Sequence, residues 1–288
     1  MSLPKILLFS ALLLLNIAFV VAWFRAGMHR SVRERPTPVD ILIGFGTDFF
    51  DALGIGSFAS TTAIYKLRGQ PRDDLIPGTL NVGHNAAAFV EVVIFVTSVA
   101  VDPLLLAMMV GSAACGAWLG AGIVTRLPRR AIQVFMGLSL MIAAIIFAMS
   151  NLGVMPAGGV ARGLLGWEFA FAVAGNFAFG ALMSVGIGLY APCMIMLALL
   201  GLHPLAAFPI MMGSCGLVQP AAGLRFLKSG RFAWGPAIGL TIGGVAGVLI
   251  AIFVVKQLPL GALRWLVTVV ALYASISMLR SARVSALT

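Results

Sequence analysis

The chain reads Gly54-Ile55-Gly56-Ser57-Phe58-Ala59-Ser60 in its first half and Gly186-Ile187-Gly188-Leu189-Tyr190-Ala191-Pro192 in its second. Each run sits inside an apolar stretch, 38–67 and 168–200, that is long for one membrane span and short for two. One span needs about 20 apolar residues. Two glycines around a single apolar residue interrupt a helix, because glycine weakens helices and opens backbone conformations closed to other residues. The expected form is a hairpin of two half-helices that enters the bilayer and returns. Broken backbone at that depth is tolerated only where protein or a cavity covers it.

The two runs stand 132 residues apart, and the same offset takes Gly69 to Gly201 and Pro77 to Pro209. An offset of 131 takes Gly116 to Gly247 and Leu127-Pro128 to Leu258-Pro259. A register kept over so long a stretch indicates an internal duplication. The expected organisation is an N-terminal transmembrane helix and basic loop (1–36), repeat 1 (37–150), a Gly-rich connecting loop (151–167) and repeat 2 (168–288). Full spans are expected at 3–24, 75–98, 104–125, 131–150, 204–226, 235–255 and 260–279. The first ends in Trp23-Phe24-Arg25 and reads as a retained helix. A cleaved signal peptide has a shorter apolar core followed by small residues.

Composition agrees. Of 288 residues, 61% are hydrophobic and 10% charged, against about 45–50% and about 25% in soluble domains. A soluble enzyme, a disordered chain and a secreted disulfide scaffold are excluded. Cys115, Cys193 and Cys215 have neither disulfide nor zinc-ligand spacing and read as small apolar residues. The net charge of +10 fits basic cytoplasmic loops rather than nucleic-acid binding. Place the loop with Arg25, Arg30, Arg33 and Arg35 in the cytoplasm, and let each hairpin enter and return. Lys66, Arg68, Arg72, Arg126, Arg129, Arg130, Arg225, Lys228, Arg231, Arg280 and Arg283 then join it. Of the 19 basic residues only Lys5, Arg162, Lys256 and Arg264 face outward, together with His203. The N-terminus lies outside and the C-terminus in the cytoplasm of a multi-pass cell-membrane protein. Each repeat adds three spans to its hairpin, so the repeats have opposite orientation. The fold class is an all-α polytopic membrane protein of two inverted-topology repeats behind one extra N-terminal helix. Paired broken helices in inverted repeats are a transporter architecture, and the breaks point to the binding site.

These residues carry a resemblance. The paired Gly-Ile-Gly breaks, the Pro in each following helix, Gly116-Ala117-Trp118-Leu119-Gly120 with Leu127-Pro128, and Val245-Ala246-Gly247 with Leu258-Pro259 resemble the sulfite exporter TauE/SafE family of membrane permeases over roughly 40–282. The resemblance implies transport of sulfur-containing or organic anions such as sulfite, sulfonates or sulfoacetate-like compounds. Many family members carry a Gly-Gly-Gly run near a Pro in each half. Here both halves have Gly-Ile-Gly, and only the second is followed by Pro192. Asp48 and Asp51 precede the first break where the second half has Gly180 and Met183.

Carboxylates within apolar helices are functional candidates. Asp48 and Asp51 share a helix face one turn before the break. Asn81, His84, Ala88 and Glu91 follow one helical face, with Asn85 beside it. Asp48, Asp51, His84 and Glu91 are the candidate proton-coupling set, against the bland reading of a hydrogen-bonded structural network. The substrate site is expected where the returning half-helices begin, because free N–H groups and the helix dipole favour an oxyanion. Its candidates are Gly54, Gly56, Ser57, Ser60, Thr61, Gly186, Gly188, Tyr190, Ser214 and Gln219, with Thr62 and Asn176 as further polar neighbours. Cys193 next to the second break reads as a small buried thiol, and Arg72-Asp73-Asp74 as a solvated cluster or helix cap.

The function expected is proton-coupled secondary transport of small anions, with no enzyme activity, no cofactor and no resident metal. A divalent-metal transporter using Asp48, Asp51, His84 and Glu91 is the alternative. A channel is a further option. An intramembrane enzyme is a poor fit: Gly213-Ser214-Cys215-Gly216 loosely resembles an intramembrane serine protease motif, but duplication suits a two-fold pathway better. No Walker A motif is present. The partners are the anion, protons and the lipid bilayer, without nucleic acid. Monomer and homodimer both stay open.

Overall fold

The structure, a computed structural model, describes residues 3–28, 34–98, 101–154, 158–186, 188–254 and 261–284. Arg30, Arg33, Ile187, Lys256, Leu258 and Pro259 lie outside the described residues. The described chain is helical. Among the described residues five helices are long and apolar enough to cross a bilayer: α1 (Leu3–Met28), α6 (Pro103–Val124), α7 (Arg129–Asn151), α10 (Pro204–Ser229) and α11 (Trp234–Val254). Leu14, Phe24, Ile123, Ile145 and Phe253 point outward and are more than half exposed, a placement that lipid makes favourable.

Helix is interrupted at both Gly-bearing stretches. α2 (Pro38–Ala52) and α3 (Ser57–Arg68) flank the first, and α8 (Gly166–Met183) and α9 (Tyr190–Leu199) flank the second. Gly54, Gly56 and Gly186 have φ of 92°, 88° and 108°, angles that a side chain disfavours. The two ends of each broken stretch are tied together. Thr37 and Asp40 form a capping box at the start of α2, and the second oxygen of Asp40 accepts from Arg68 Nη1 at 3.0 Å, at the end of α3. In the second half, Gly159 N–H donates to Leu202 O (3.2 Å) and His203 N–H to Ala161 O (2.7 Å). These ties lie at opposite ends of α6. Asp102, before α6, donates its N–H to Arg162 O at 3.0 Å, while Arg231 bonds Thr125 O and Leu127 O after it. A 22-residue helix spans about 33 Å.

Packing crosses the halves: α2 lies on α11, α8 lies on α6, and α7 packs with α12 (Gly261–Val284). Close approach is set by glycine. A Cβ on Gly247 would strike Phe45 O and approach Phe49 N, and a Cβ on Gly116 would strike Phe177 O and approach Ala181 N. The 131- and 132-residue offsets carry the second set of residues onto the first. Small residues that let backbones touch drive helix association in lipid, where burial of apolar surface gives no net gain.

Two features differ from the sequence expectation. The span at 75–98 is broken at His84 into α4 (Ile76–Gly83) and α5 (Asn85–Ser98). The cause is local: Thr241 Oγ1 donates to Gly83 O at 2.8 Å, and Gly83 packs against Leu240 with no room for a Cβ. A side chain inserted into the helical ladder bends it. Arg72-Asp73-Asp74 is also not a solvated cluster, since Asp73 and Asp74 are buried. Asp73 accepts from Lys66 (2.9 Å) and Gln133 (2.7 Å), with Arg129 at 3.6 Å; Asp74 pairs with Arg72 at 3.1 Å and has Arg231 at 3.6 Å. The lone pairs of the two carboxylates find donors from several elements, which is what burial of a charge demands.

Gly56→Ala is expected to lower stability by roughly 1–3 kcal/mol, because alanine is strained at its backbone angles. Gly46→Ala, on α2 with open space around it, is expected to be neutral or slightly stabilising. Thermal unfolding of the purified variants in detergent distinguishes the two.

Candidate functional site

The residues around the two breaks build a cavity of about 70 Å³, room for a few waters or one small polyatomic ion. Asp51, Gly54, Gly56 and Ser57 line it from the first half, and Gly188, Leu189 and Tyr190 from the second. Under the 132-residue offset, equivalent positions meet there in pairs: Asp51 with Met183, Gly56 with Gly188, Ser57 with Leu189, Phe58 with Tyr190, and Ala59 with Ala191. α3 and α9 both begin at this cavity, and neither N-cap residue, Gly56 or Leu189, caps its helix with a side chain. The N–H groups of a helix's first turn have no partner within the helix and form its positive end. α10 adds Cys215 and Gln219, and the Gln219 amide oxygen is buried without a hydrogen-bond partner.

The two aspartates take different partners. Asp51 accepts from Ser57 Oγ at 2.5 Å across the break and faces the cavity. Asp48 is 1% exposed and lies behind it. Its oxygens stand 2.8 and 2.9 Å from His84 Nδ1, and His84 Nε2 stands 3.1 Å from Thr61 Oγ1. The result is a buried chain, Thr61–His84–Asp48, joining α3, the α4–α5 break and α2. A neutral imidazole with its proton on Nδ1 donates to Asp48 and accepts from Thr61; an imidazolium donates to both. Glu91, one helix over, is 2% exposed and its Oε1 has no hydrogen-bond partner.

Of the substrate-site candidates, Gly54, Gly56, Ser57, Gly188, Tyr190 and Gln219 line the cavity. Four do not. Ser60 Oγ donates to Gly56 O and Ser57 O (3.1 and 2.9 Å), Thr61 is bound to His84, and Ser214 accepts from Asn176 Nδ2 at 2.9 Å. Gly186 backs onto Met136 and Leu80. Cys193 is fully buried outside the lining, whereas Cys215 reaches it. The polar face of 81–91 is divided: Asn81 bonds its own helix at Pro77 O, and Asn85 donates to Asn16 of α1 at 3.1 Å. Sequence reasoning missed α7, whose Ser139, Ile142 and Phe147 close one wall. No polar periodicity marks them, and Ser139 spends its hydroxyl on Phe135 O. Among the described residues no three His, Cys, Asp or Glu side chains come together as a metal site.

His84→Ala would leave Asp48 and Thr61 buried without this partner, at about 1–3 kcal/mol for each unsatisfied group. A double-mutant cycle with Asp48→Ala is expected to show coupling of roughly 0.5–3 kcal/mol in unfolding experiments. Additive effects would mean that the buried contact is energetically empty.

Comparison with known families places the chain. A family model described as "Sulfite exporter TauE/SafE" matches residues 2–147, which takes in α1, the first break, the Asp51–Ser57 pair, the Thr61–His84–Asp48 chain and most of α7. No curated protein and no solved structure is significantly similar to the chain. An all-helical bundle with several membrane-crossing helices, interrupted in both halves, accords with that match, and the chain belongs to the sulfite exporter TauE/SafE family of membrane transport proteins.

Proposed function

We propose that the chain is a secondary transporter that carries a small anion together with a proton, with the anion held between the two helix breaks. The observation that supports this reading most is the convergence of two helix N-termini and one carboxyl group, Asp51, on a single small cavity. N–H groups and helix dipoles attract the oxyanion without a buried Arg or Lys. An ionised Asp51 would repel it at close range in a medium of low polarity. Anion and proton therefore bind together, and each promotes the other. The cavity's size suits a four-atom oxyanion such as sulfite better than a longer sulfonate. Ser57 and the Gln219 amide supply further hydrogen bonds, and the Thr61–His84–Asp48 chain holds the hairpin and passes protons to it.

Inverted repeats fit the same geometry. The α2–α11 and α8–α6 pairings exchange under the repeat offsets, and the tied ends of the two broken stretches lie at opposite ends of α6. In the membrane each broken stretch is then a re-entrant hairpin, one from each side. A second cavity, about 280 Å³, shares Gly54, Phe147 and Tyr190 with the first and extends to Ser150, Leu202 and Pro204. This is the end that carries His203, outside by the distribution of basic residues. The opposite end is held by the Asp73 and Asp74 ion pairs. The conformer described is thus open outward, in a cell membrane with the N-terminus outside and the C-terminus in the cytoplasm.

Proteoliposomes loaded with a pH-sensitive dye test the mechanism. Sulfite is expected to drive proton movement, and Asp51→Asn to slow it by about tenfold or more, the cost of losing one charged hydrogen-bonding group. Proton movement with a divalent cation alone, or anion flux unchanged in Asp51→Asn, would overturn the reading. The topology has its own test. In a variant lacking the three native cysteines, Ala198→Cys should be labelled by an impermeant thiol reagent from outside and Ser281→Cys only from inside. The reverse pattern would invert the assignment.

A further inference from the structure

A second polar cavity lies at the basic end of the bundle, between the start of α7 and the last turns of α12. Its volume is about 610 Å³, far more than one small oxyanion needs. Arg129 of α7 and Arg280 of α12 line it together with Ser277 and Ser281, and no acid is in the lining; the Ser281 hydroxyl already donates to Ser277 O and accepts from Lys66 Nζ, each at 3.0 Å. Asp73, the nearest carboxylate behind the wall, is already engaged by Lys66 and Gln133 at 2.9 and 2.7 Å. Arg129 pairs with Asp73 at 3.6 Å, and with half its side chain exposed it also lines the cavity. The first turn of α7 presents its positive end here. The last turn of α12 presents its negative end, and the two guanidinium groups decide the net sign.

The rest of the lining is apolar and faces outward: Tyr273 is 58% exposed, Ile276 39% and Val284 64%. Val269 and Leu272 of α12, one turn before Tyr273 and Ile276, continue that outward apolar surface toward the middle of the helix. A cationic pocket lined also by the Ser277 side chain thus opens at one end of a lipid-facing groove. We propose that this pocket binds the phosphate headgroup of an anionic phospholipid, with its acyl chains lying against α12. Guanidinium pairs match phosphate oxygens in charge and in planar donor geometry, and basic pockets between membrane helices recognise anionic headgroups on this physical basis. A zwitterionic lipid places its own cation beside the arginines and gains little. The site is separate from the cavity at the helix breaks and does not depend on what is transported there. Lipid at this position would brace α7 and α12, which Ser275 Oγ already joins through Gly137 O at 2.6 Å.

Native mass spectrometry of the full chain with phosphatidylglycerol and phosphatidylethanolamine tests this. Phosphatidylglycerol is expected to be retained about tenfold better. Arg280→Ala, and separately Ser277→Leu, which fills the pocket without touching a charge, should each reduce its retention to that of phosphatidylethanolamine. Arg283→Ala, on the same last turn but outside the lining, should leave retention unchanged, and a matched thermal transition shows that each variant is folded. Equal retention of both lipids, or an equal loss in Arg283→Ala, would overturn the proposal. Displacement of the lipid by millimolar inorganic phosphate would overturn it in favour of a site for a soluble oxyanion.

Discussion

A helix that stops inside an apolar bundle leaves backbone N–H and C=O groups that lipid cannot satisfy, and the rest of this structure is arranged around that constraint. Both interruptions lie where other helices can cover them. α11 covers α2 and α6 covers α8, at distances that allow no side chain at Gly243, Gly247 and Gly116. Close backbone contact keeps lipid out and fixes each half-helix against a long one. What remains uncovered is the small space where α3 and α9 begin, and there unsatisfied N–H groups become an asset, because an anion can satisfy them.

The cavity is two-fold in shape but not in chemistry. Equivalent backbone positions from both halves meet in it, yet its one carboxyl group, Asp51, comes from the first half. Where the first half has Asp48 and His84, the 132-residue offset places Gly180 and Gly216, which pack tightly against Ala113 and Val92. Met183 and Leu189 stand opposite Asp51 and Ser57. In the mechanism proposed above, the duplication would supply the pathway and divergence of one copy the proton chemistry. A single carboxyl group per cavity also avoids the repulsion that two facing carboxylates would create in a poorly polar space.

At the basic end, Asp40, Asp73 and Asp74 serve as anchors. Each takes a guanidinium or ammonium from another element, so α2 is fastened to α3, and α3 to α7. Breaking one buried partner would leave an uncompensated charge. The other end is joined by backbone hydrogen bonds between 159–161 and 201–203, a lighter fastening beside the cavity of about 280 Å³.

Much of the architecture was legible in the residues. Span length, glycine pairs and the repeat offset are local or periodic properties, and they locate both interruptions and the helices between them. Asp51, Ser57 and Gln219 were legible as candidates because polar groups stand out against an apolar background. Other features depend on neighbours that are distant in the chain. The bend at His84 comes from Thr241, the burial of Asp73 and Asp74 comes from Lys66, Gln133 and Arg231, and the α7 wall carries no polar mark at all. The sequence by itself determined that the chain is built of apolar helices and that two of them are interrupted at the paired glycines, because hydrophobicity and glycine act through the local backbone. Only the tertiary structure decided that Asp51 faces the cavity while Asp48 is held behind it by His84. Three residues along one helix set two side chains on the same side, but which partner each meets depends on the helices packed against that side.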